Sequence, residues 1–394
     1  MPAALEKDCT GSLGMLYLAF DLGEVYWTLG FTVGLGQRPR EVRILSGNMV
    51  RLEREIAEAK GRFGLPSDAV VVSCYEAGRD GFWLHRWLQA HQVHNVVIDS
   101  SSIEVNRRQR RSKTDRLDVE KLLKLLVRFH LGEQKVFSVV NVPSTEEEDE
   151  RHLHRELGTL TADQTALTNR IKGVLAGFGV HLVPDRAFPQ RLKLARQWNG
   201  EPLPEGVRRR LLSDFAVLQA IRRQMRELER VQKAQVREED SGRATQQVRQ
   251  LMSLRGVGIT TASIYAKEFF AWRRLTNRRQ VGALAGLCST PHSSGKMQHE
   301  CGISRAGNRW VRGVAVELAW CWLQYQPTSA LSQWYERRFR HAGPRLRKIG
   351  IVALARKLLV AIWKFLETGT PPEGAVLVDW RTKITRGKCV VISP

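Results

Sequence analysis

Asp68–Tyr75 reads DAVVVSCY, a dense β-branched run without polar alternation. Such a run predicts a strand over 68–75 that is covered on both faces, as in a sheet flanked by helices. Upstream, Met15–Asp21 (MLYLAFD) and Tyr26–Val33 (YWTLGFTV) predict adjacent strands with Gly23 between them, and Val42–Leu45 a shorter third. Met49–Phe63 predicts a helix with Leu52, Ile56 and Ala59 on one face. Downstream, Phe82–Gln89 predicts a helix and Val93–Asp99 a short strand. Leu117–Leu131 predicts a further helix, with Leu117, Leu122, Leu125, Leu126 and Phe129 at helical spacing. Strands first, then strand–helix alternation, make 15–140 an α/β sheet domain.

A break follows at Asn141-Val142-Pro143. Ser144 and Glu147 are spaced as a capping box, with Glu146, Glu147 and Glu148 complementing the helix dipole. Leu153, Leu157, Leu160, Leu167 and Ile171 predict one long amphipathic helix from there to about Leu175. Residues 177–206, interrupted by Gly and by Pro184, Pro189, Pro202 and Pro204, predict a loop insertion. A second long helix reaches about Val236 with a near-heptad stripe of Leu211, Leu218, Ile221, Met225 and Leu228. Residues 144–245 thus form a helical or coiled-coil arm, which serves for spacing or dimerisation. After the polar stretch 238–247, residues 246–370 predict a mostly helical domain, with helices at 307–325 and 349–367, and 371–394 a tail.

The chain of 394 residues carries 62 Lys and Arg against 40 Asp and Glu, a net charge of +22 that draws polyanions and points to nucleic acid. Its six cysteines are scattered with no C-x-x-C pair, which argues against a disulfide framework or zinc ribbon. No apolar run reaches the ~18 residues of a membrane span. With no signal-peptide pattern, the expected compartment is the cytoplasm and no membrane partner is expected.

Acids stand where the elements end. Asp21 closes the first strand, Glu76 follows the buried run, and Asp115 and Asp118 open the helix of KTDRLD, three residues apart on one face. Strand-end and helix-start acids in such a domain converge on one edge of the sheet, where carboxylates can hold Mg²⁺ (or Mn²⁺) for phosphoryl transfer. Singly, each acid has an ordinary role: Asp115 or Asp118 as a cap, Asp21 as a turn starter, Glu76 as a partner of Arg79. Jointly, the D…E…DxxD order favours the metal site. Asp99 and Glu104, in a polar Ser-rich loop, are alternative acids. The basic run Arg107, Arg108, Arg110, Arg111 and Lys113 is placed to hold a phosphate backbone beside that site.

Leu254–Ala262 (LRGVGITTA) has the pattern of a helix–hairpin–helix, with Gly256 and Gly258 allowing the turn before a phosphate-binding helix start. Farther on come LAGL and then Cys288–Lys296 (CSTPHSSGK). A Ser-Ser-Gly turn by its spacing is ordinary surface chemistry, and a serine needs deprotonation or metal assistance to attack. Gly302–Arg309 (GISRAGNR) is a basic connector, with Asn308 as the cap of the next helix.

In this order, Asp21, YEAG around Glu76, KTDRLD around Asp115 and Asp118, LRGVG, LAGL, TPHSSGK and GISRAGNRWVR resemble the insertion-sequence 110 family of DEDD transposases, especially the branch with the 1111-type elements. The resemblance runs from about residue 15 to 370. It implies an α/β RuvC-like (ribonuclease-H-fold) N-terminal domain, an α-helical coiled-coil arm and a mostly helical C-terminal transposase domain. It implies that Asp21, Glu76, Asp115 and Asp118 bind the metal and that Ser294 is the nucleophile, with Ser293 one register away. Lys296, Arg305 and Arg309 join the nucleic-acid contacts. Partners implied are donor and target DNA, a structured noncoding guide RNA (bridge or seek RNA), and sister subunits in a dimer or tetramer that shares sites between chains. In a bacterium the active protein is then nucleoid-associated. The sequence departs in having AFDLGE where Ile-Asp with a nearby Lys is common, Arg305 where Lys is frequent, and extra length around 177–206. Competing readings of the same residues are a junction-resolving nuclease that activates water, a site-specific inverting recombinase, and a nonenzymatic nucleic-acid scaffold.

Overall fold

The computed structural model describes residues 14–78, 81–103, 115–133, 136–239, 242–294 and 297–385, without side chains at 101, 115–116, 291–294, 297–301 and 385. The chain divides into two compact units, one ending at Pro143 and one beginning at Ser144. No helix among the described residues is long and apolar enough to cross a membrane.

The first unit is built on five strands: β1 (Leu16–Leu22), β2 (Tyr26–Thr32), β3 (Arg40–Leu45), β4 (Val71–Glu76) and β5 (Val93–Ile98). Their order in the sheet is β3-β2-β1-β4-β5. The first three form an antiparallel meander, and β4 and β5 run parallel to β1. Helices α1 (Met49–Arg62), α2 (Trp83–Ala90) and α3 (Asp115–His130) complete the unit. Both faces of the sheet are covered. Leu16, Leu18, Phe20, Val71, Tyr75 and Val97 pack with Leu52, Leu84 and Leu88 on one face. Tyr17, Ala19, Val72, Cys74 and Ile98 pack beneath Val119, Leu122, Leu123, Leu126 and Val127 of α3 on the other. The β-branched run therefore has the double coverage its composition requires. Its strand starts at Val71 rather than Asp68, because Pro66–Ala69 is a turn closed by Ala69 N–H donating to Pro66 O at 3.1 Å.

In the second unit the capping box at Ser144 is present, with Ser144 Oγ accepting from Glu147 N–H and the Glu147 carboxylate accepting from Ser144 N–H. It opens only a short helix, α4 (Thr145–Asp149), and the long helix α5 (His152–Ala176) starts anew. The expected single helix breaks at Arg151, which is buried, donates to Glu147 O and lies 4.3 Å from the ring centre of Trp272. α5 and α7 (Glu205–Arg237) pack as an antiparallel hairpin, bridged by Gln224 to Glu156 and by Arg170 to Asp214. Residues 177–206, expected as a loop, fold into a cap. Helix α6 (Phe188–Leu194) brings Phe188 and Leu192 into a small core with Ile171, Leu175, Leu211 and Phe215. Proline marks that segment's turns without making it structureless: Pro189 sits in the first turn of α6, where no amide partner is needed.

The stretch 238–247 is not all linker, since α8 (Arg243–Met252) begins within it. There follow α9 (Ile259–Ser263), a π-helical turn over Ile264–Phe270, and α10 (Arg278–Leu284). Next come the strands β6 (Ser289–Ser294) and β7 (Met297–Ile303), then α11 (Arg309–Tyr325), α12 (Ala330–Phe339), α13 (Pro344–Thr368) and α14 (Trp380–Thr385). The apolar faces of α8, α11 and α13 close one core around Leu251, Tyr265, Phe269, Leu318, Trp322, Leu354 and Leu358. Residues 371–385 are tied to it. Lys383 Nζ donates to the carbonyls of Met252, Leu254 and Val257, and Leu377 bridges Leu254. Of three tryptophans on α11, Trp322 is fully buried and Trp310 partly, whereas Trp320 is 51% exposed.

Candidate active site

Two acids of the first unit are set by strand register. β1 and β4 pair in parallel up to Phe20 opposite Tyr75, and Asp21 and Glu76 are the next residue on each strand. Alternation then fixes their face. Tyr17 and Ala19 on β1, like Val72 and Cys74 on β4, point into the core under α3. Asp21 and Glu76 share that parity and so belong to the α3 side of the sheet. Glu76 is exposed and Asp21 half-buried. Cys74, two residues before Glu76, has its thiol pushed up by burial and further by the Glu76 charge, so it stays protonated.

Helix α3 brings the third acid. Its last residue, His130, meets Tyr17 edge-on with ring centroids 5.6 Å apart, near the start of β1. Farther back, Val119 and Leu123 press on Gly30, where a Cβ would lie 2.3 Å from Val119 Cγ1, and Gly30 pairs with Ala19. α3 therefore runs against β1. From His130 back to Asp118 is ~18 Å of helix rise, and from Tyr17 to Asp21 ~13 Å of strand, so the first turn of α3 reaches the edge where β1 and β4 end. Asp118 is half-buried, one turn before the sheet-facing Leu122. Asp115 opens the same helix, and its side chain lies outside the described residues. Among the described residues no three Asp, Glu, His or Cys side chains already form a metal-holding group. As hard oxygen donors on one face of one edge, the acids nevertheless fit a magnesium-type ion by chemistry.

Asp99 emerges at the same edge, directly after Ile98, which pairs with Glu76. Its parity is opposite: Val96 and Ile98 belong to the α3 side and Val97 to the other. Glu104 and the basic run Arg107, Arg108, Arg110, Arg111 and Lys113 lie outside the described residues.

In the second unit the expected Ser-Ser-Gly turn is the end of a β-hairpin. β6 and β7 pair antiparallel, with Ser293 opposite Gln298 and Ser294 opposite Met297. Ser294 is the last residue of β6, and the intervening Gly295 and Lys296 lie outside the described residues. The base of the hairpin is clasped by the two glycine connectors. Asn308 N–H donates to Leu284 O at 2.9 Å, Ser304 N–H to Cys288 O at 2.7 Å, and Arg305 N–H to Gly286 O at 3.2 Å. Gly286 and Gly307 both have positive φ, +66° and +84°. A Cβ on either would sit 2.0 or 2.1 Å from the carbonyl oxygen of Ala306 or Leu284, so only glycine permits this close backbone approach. Asn308 caps α11 as expected, its side chain accepting from Trp310 and Val311 N–H. Arg305 and Arg309 are exposed beside it.

The LRGVG connector does join two helices. Gly256 takes φ +90° and Gly258 is the N-cap residue of α9. α9 is only five residues long before the backbone becomes π-helical, which departs from a regular hairpin of two helices.

That π-helical turn carries a residue that sequence reading missed. Glu268 is buried and accepts from His154 Nε2 at 3.0 Å and from Arg155 Nε and Nη2 at 2.5 and 3.0 Å. Burial pushes its carboxyl up, but the hydrogen bonds from His154 and Arg155 prevail and hold it at about 2. Burial keeps His154 neutral against the pull of Glu268, which makes Nε2 the donor. Arg273 donates to the backbone carbonyls of Glu268 and Phe269 and stacks 3.8 Å from the ring centre of Trp272. The knot fastens the base of α5 to the helical core.

Residues 248–336 match the Transposase IS116/IS110/IS902 family. The match spans α8 to α12 and includes the glycine clasp and the serine hairpin. The protein y4rJ of Sinorhizobium fredii, which carries a transposase name, is 36% identical over 392 residues, 95% of this chain and 97% of its own length. The chain belongs to the IS116/IS110/IS902 transposase family. Two further relatives of the transposase share less identity over less of the chain. The transposase for insertion sequence element IS1328 of Yersinia enterocolitica is 27% identical over 58% of this chain and 66% of its own. That for IS1111A of Coxiella burnetii is 29% identical over 57% and 60%. As a transposase the protein acts on DNA, in keeping with its net charge of +22. Asp21, Glu76 and Asp118 of this transposase share one edge and face, and Ser294 ends a hairpin in the other compact unit.

Proposed function

We propose that the protein is an RNA-guided DNA transposase that cleaves and rejoins DNA through attack of Ser294 on a phosphodiester, assisted by a divalent metal. The observation that carries the reading is the shared face of Asp21, Glu76 and Asp118 at the edge where β1 and β4 end. The strand order β3-β2-β1-β4-β5, with an antiparallel meander and then two parallel strands, supports a RuvC-like (ribonuclease-H-fold) domain. The α5–α7 hairpin supports a coiled-coil arm used in oligomer formation.

Asp21, Glu76, Asp115 and Asp118 would hold Mg²⁺ or Mn²⁺, which supplies charge neutralisation at a scissile phosphate. Ser294 Oγ forms a bond to phosphorus as one P–O bond to deoxyribose breaks. The serine proton leaves and the departing deoxyribose oxygen ends as a hydroxyl, so no water or nucleotide cofactor is consumed. The phosphoserine ester keeps the bond energy, and the hydroxyl of a second strand reverses the step to rejoin DNA. Because the acids and the serine belong to different compact units, a site completed between subunits is part of the proposal. Exposed cations such as Arg305 and Arg309 hold backbones, and guide-RNA pairing supplies the sequence choice.

Recombination between donor and target duplexes, with and without RNA transcribed from the element's noncoding flank, tests the reading. Product that needs both the RNA and a divalent ion supports it. Equal product without the RNA removes guidance, and free cut ends without joining replace transposition with hydrolysis.

A further inference from the structure

We infer that the corner where α12 meets α13 is a docking surface for the sugar–phosphate backbone of duplex DNA. Arg337, Arg338 and Arg340 lie at the end of α12, and Arg345, Arg347 and Lys348 in the first turns of α13, all exposed. The one acid in this stretch, Glu336, lies 3.7 Å from Arg340. Among the described residues the other five cations form no ion pair.

Local electrostatics accounts for Arg337 and Arg338, in the last turn of α12 where cations are favoured, but not for the cations of α13. The start of a helix is its positive end, where acids are favoured, yet α13 has no acid in its first turn and three cations close behind Pro344. Their placement opposes the helix they sit on. The frame is also stiff. The ring of Phe339 packs against Gly350, where a Cβ would lie 2.6 Å away, and Tyr335 Oη donates to Arg347 O at 3.3 Å. Trp334 lies between Arg338 and Lys357, 5.7 and 4.7 Å from its ring centre.

Like charges without ion-pair partners, carried on a stiff backbone frame, fit a partner with regularly repeated negative charge, and they repel a second copy of the same corner. A protein of this family must hold duplex DNA, whose phosphates answer that description without any base being read. The inference rests on family membership and on this surface, and is independent of the serine reading.

The test uses the full-length protein with an unrelated-sequence DNA duplex, and a hairpin RNA in parallel, over a salt series. In the triple variant Arg345→Gln/Arg347→Gln/Lys348→Gln, duplex affinity falls and the salt slope of log K flattens by about 2.7, roughly 0.9 for each phosphate that is no longer neutralised. Arg345→Glu separates binding from folding, because an acid at the helix start leaves Tm equal or higher while weakening duplex binding. Unchanged duplex affinity and slope in a folded triple variant overturn the inference. So does a loss confined to the hairpin RNA, or a Tm drop in both variants that tracks the binding loss.

Discussion

Asp21 and Glu76 stand side by side at the ends of neighbouring parallel strands, each one residue beyond the paired Phe20 and Tyr75 and both on the face that α3 covers. A carboxylate pair in that setting is useful only if something positive joins it, since like charges at close range oppose each other's ionisation.

Parity separates these acids from Asp99. Asp21→Asn or Glu76→Gln is expected to lower strand transfer by about 100-fold or more, the scale of losing a group that stabilises transition-state charge. Asp99→Asn, on the opposite parity, retains activity within a few-fold. Recombination rates of the three variants on one substrate decide the matter, and equal losses for Asp21 and Asp99 would contradict the assignment of the working face.

The clasp under the serine hairpin rests on two glycines. Gly286→Ala or Gly307→Ala forces a Cβ into a carbonyl oxygen at positive φ, a strain of about 1–3 kcal/mol from the backbone alone. Hydrogen exchange should show lost protection around Leu284–Arg312 with β1–β5 unaffected, together with loss of strand transfer. Undiminished protection in both variants would mean the clasp yields.

Glu268 gives the second unit a pH dependence. Its folded carboxyl is held at about 2, below the ordinary 4.5, so its contribution is complete above 4.5 and is lost as pH falls toward 2. His154 is depressed below 6.5, so protons favour the unfolded state there too, and stability starts to fall below about pH 6.5. Denaturant unfolding at a series of pH values should show a decline beginning near 6.5 and steepening under 4.5. Glu268→Gln should cost about 1–3 kcal/mol at neutral pH, because buried His154 and half-exposed Arg155 lose their charged acceptor, and should flatten the acid limb. A variant with wild-type stability at pH 7 would rule the knot out as a fastener.

The sheet was readable because its strands declare themselves: DAVVVSCY cannot face water on either side, and an acid at the end of MLYLAFD has no packing reason to be there. Which acids share a face was not readable, since Asp99 differs from Glu76 only through strand register and the covering helix. The serine hairpin escaped notice because STPHSS and MQHECGI lack the apolar alternation of a half-buried strand. A helical spacing also ran unbroken through Arg151, whose burial against Trp272 depends on residues far along the chain. The same holds for Glu268, whose partners His154 and Arg155 are 114 and 113 residues away.

The site of covalent attachment to DNA separates serine attack from hydrolysis. The transposase is incubated with end-labelled duplex, Mg²⁺ and its noncoding RNA, then denatured and digested, and the DNA-bearing peptide is sequenced. The linkage is expected on Ser294, lost in Ser294→Ala and in Asp21→Asn and kept in Ser293→Ala. Efficient cleavage with no protein–DNA linkage, or a linkage that survives Ser294→Ala, would contradict attack by Ser294.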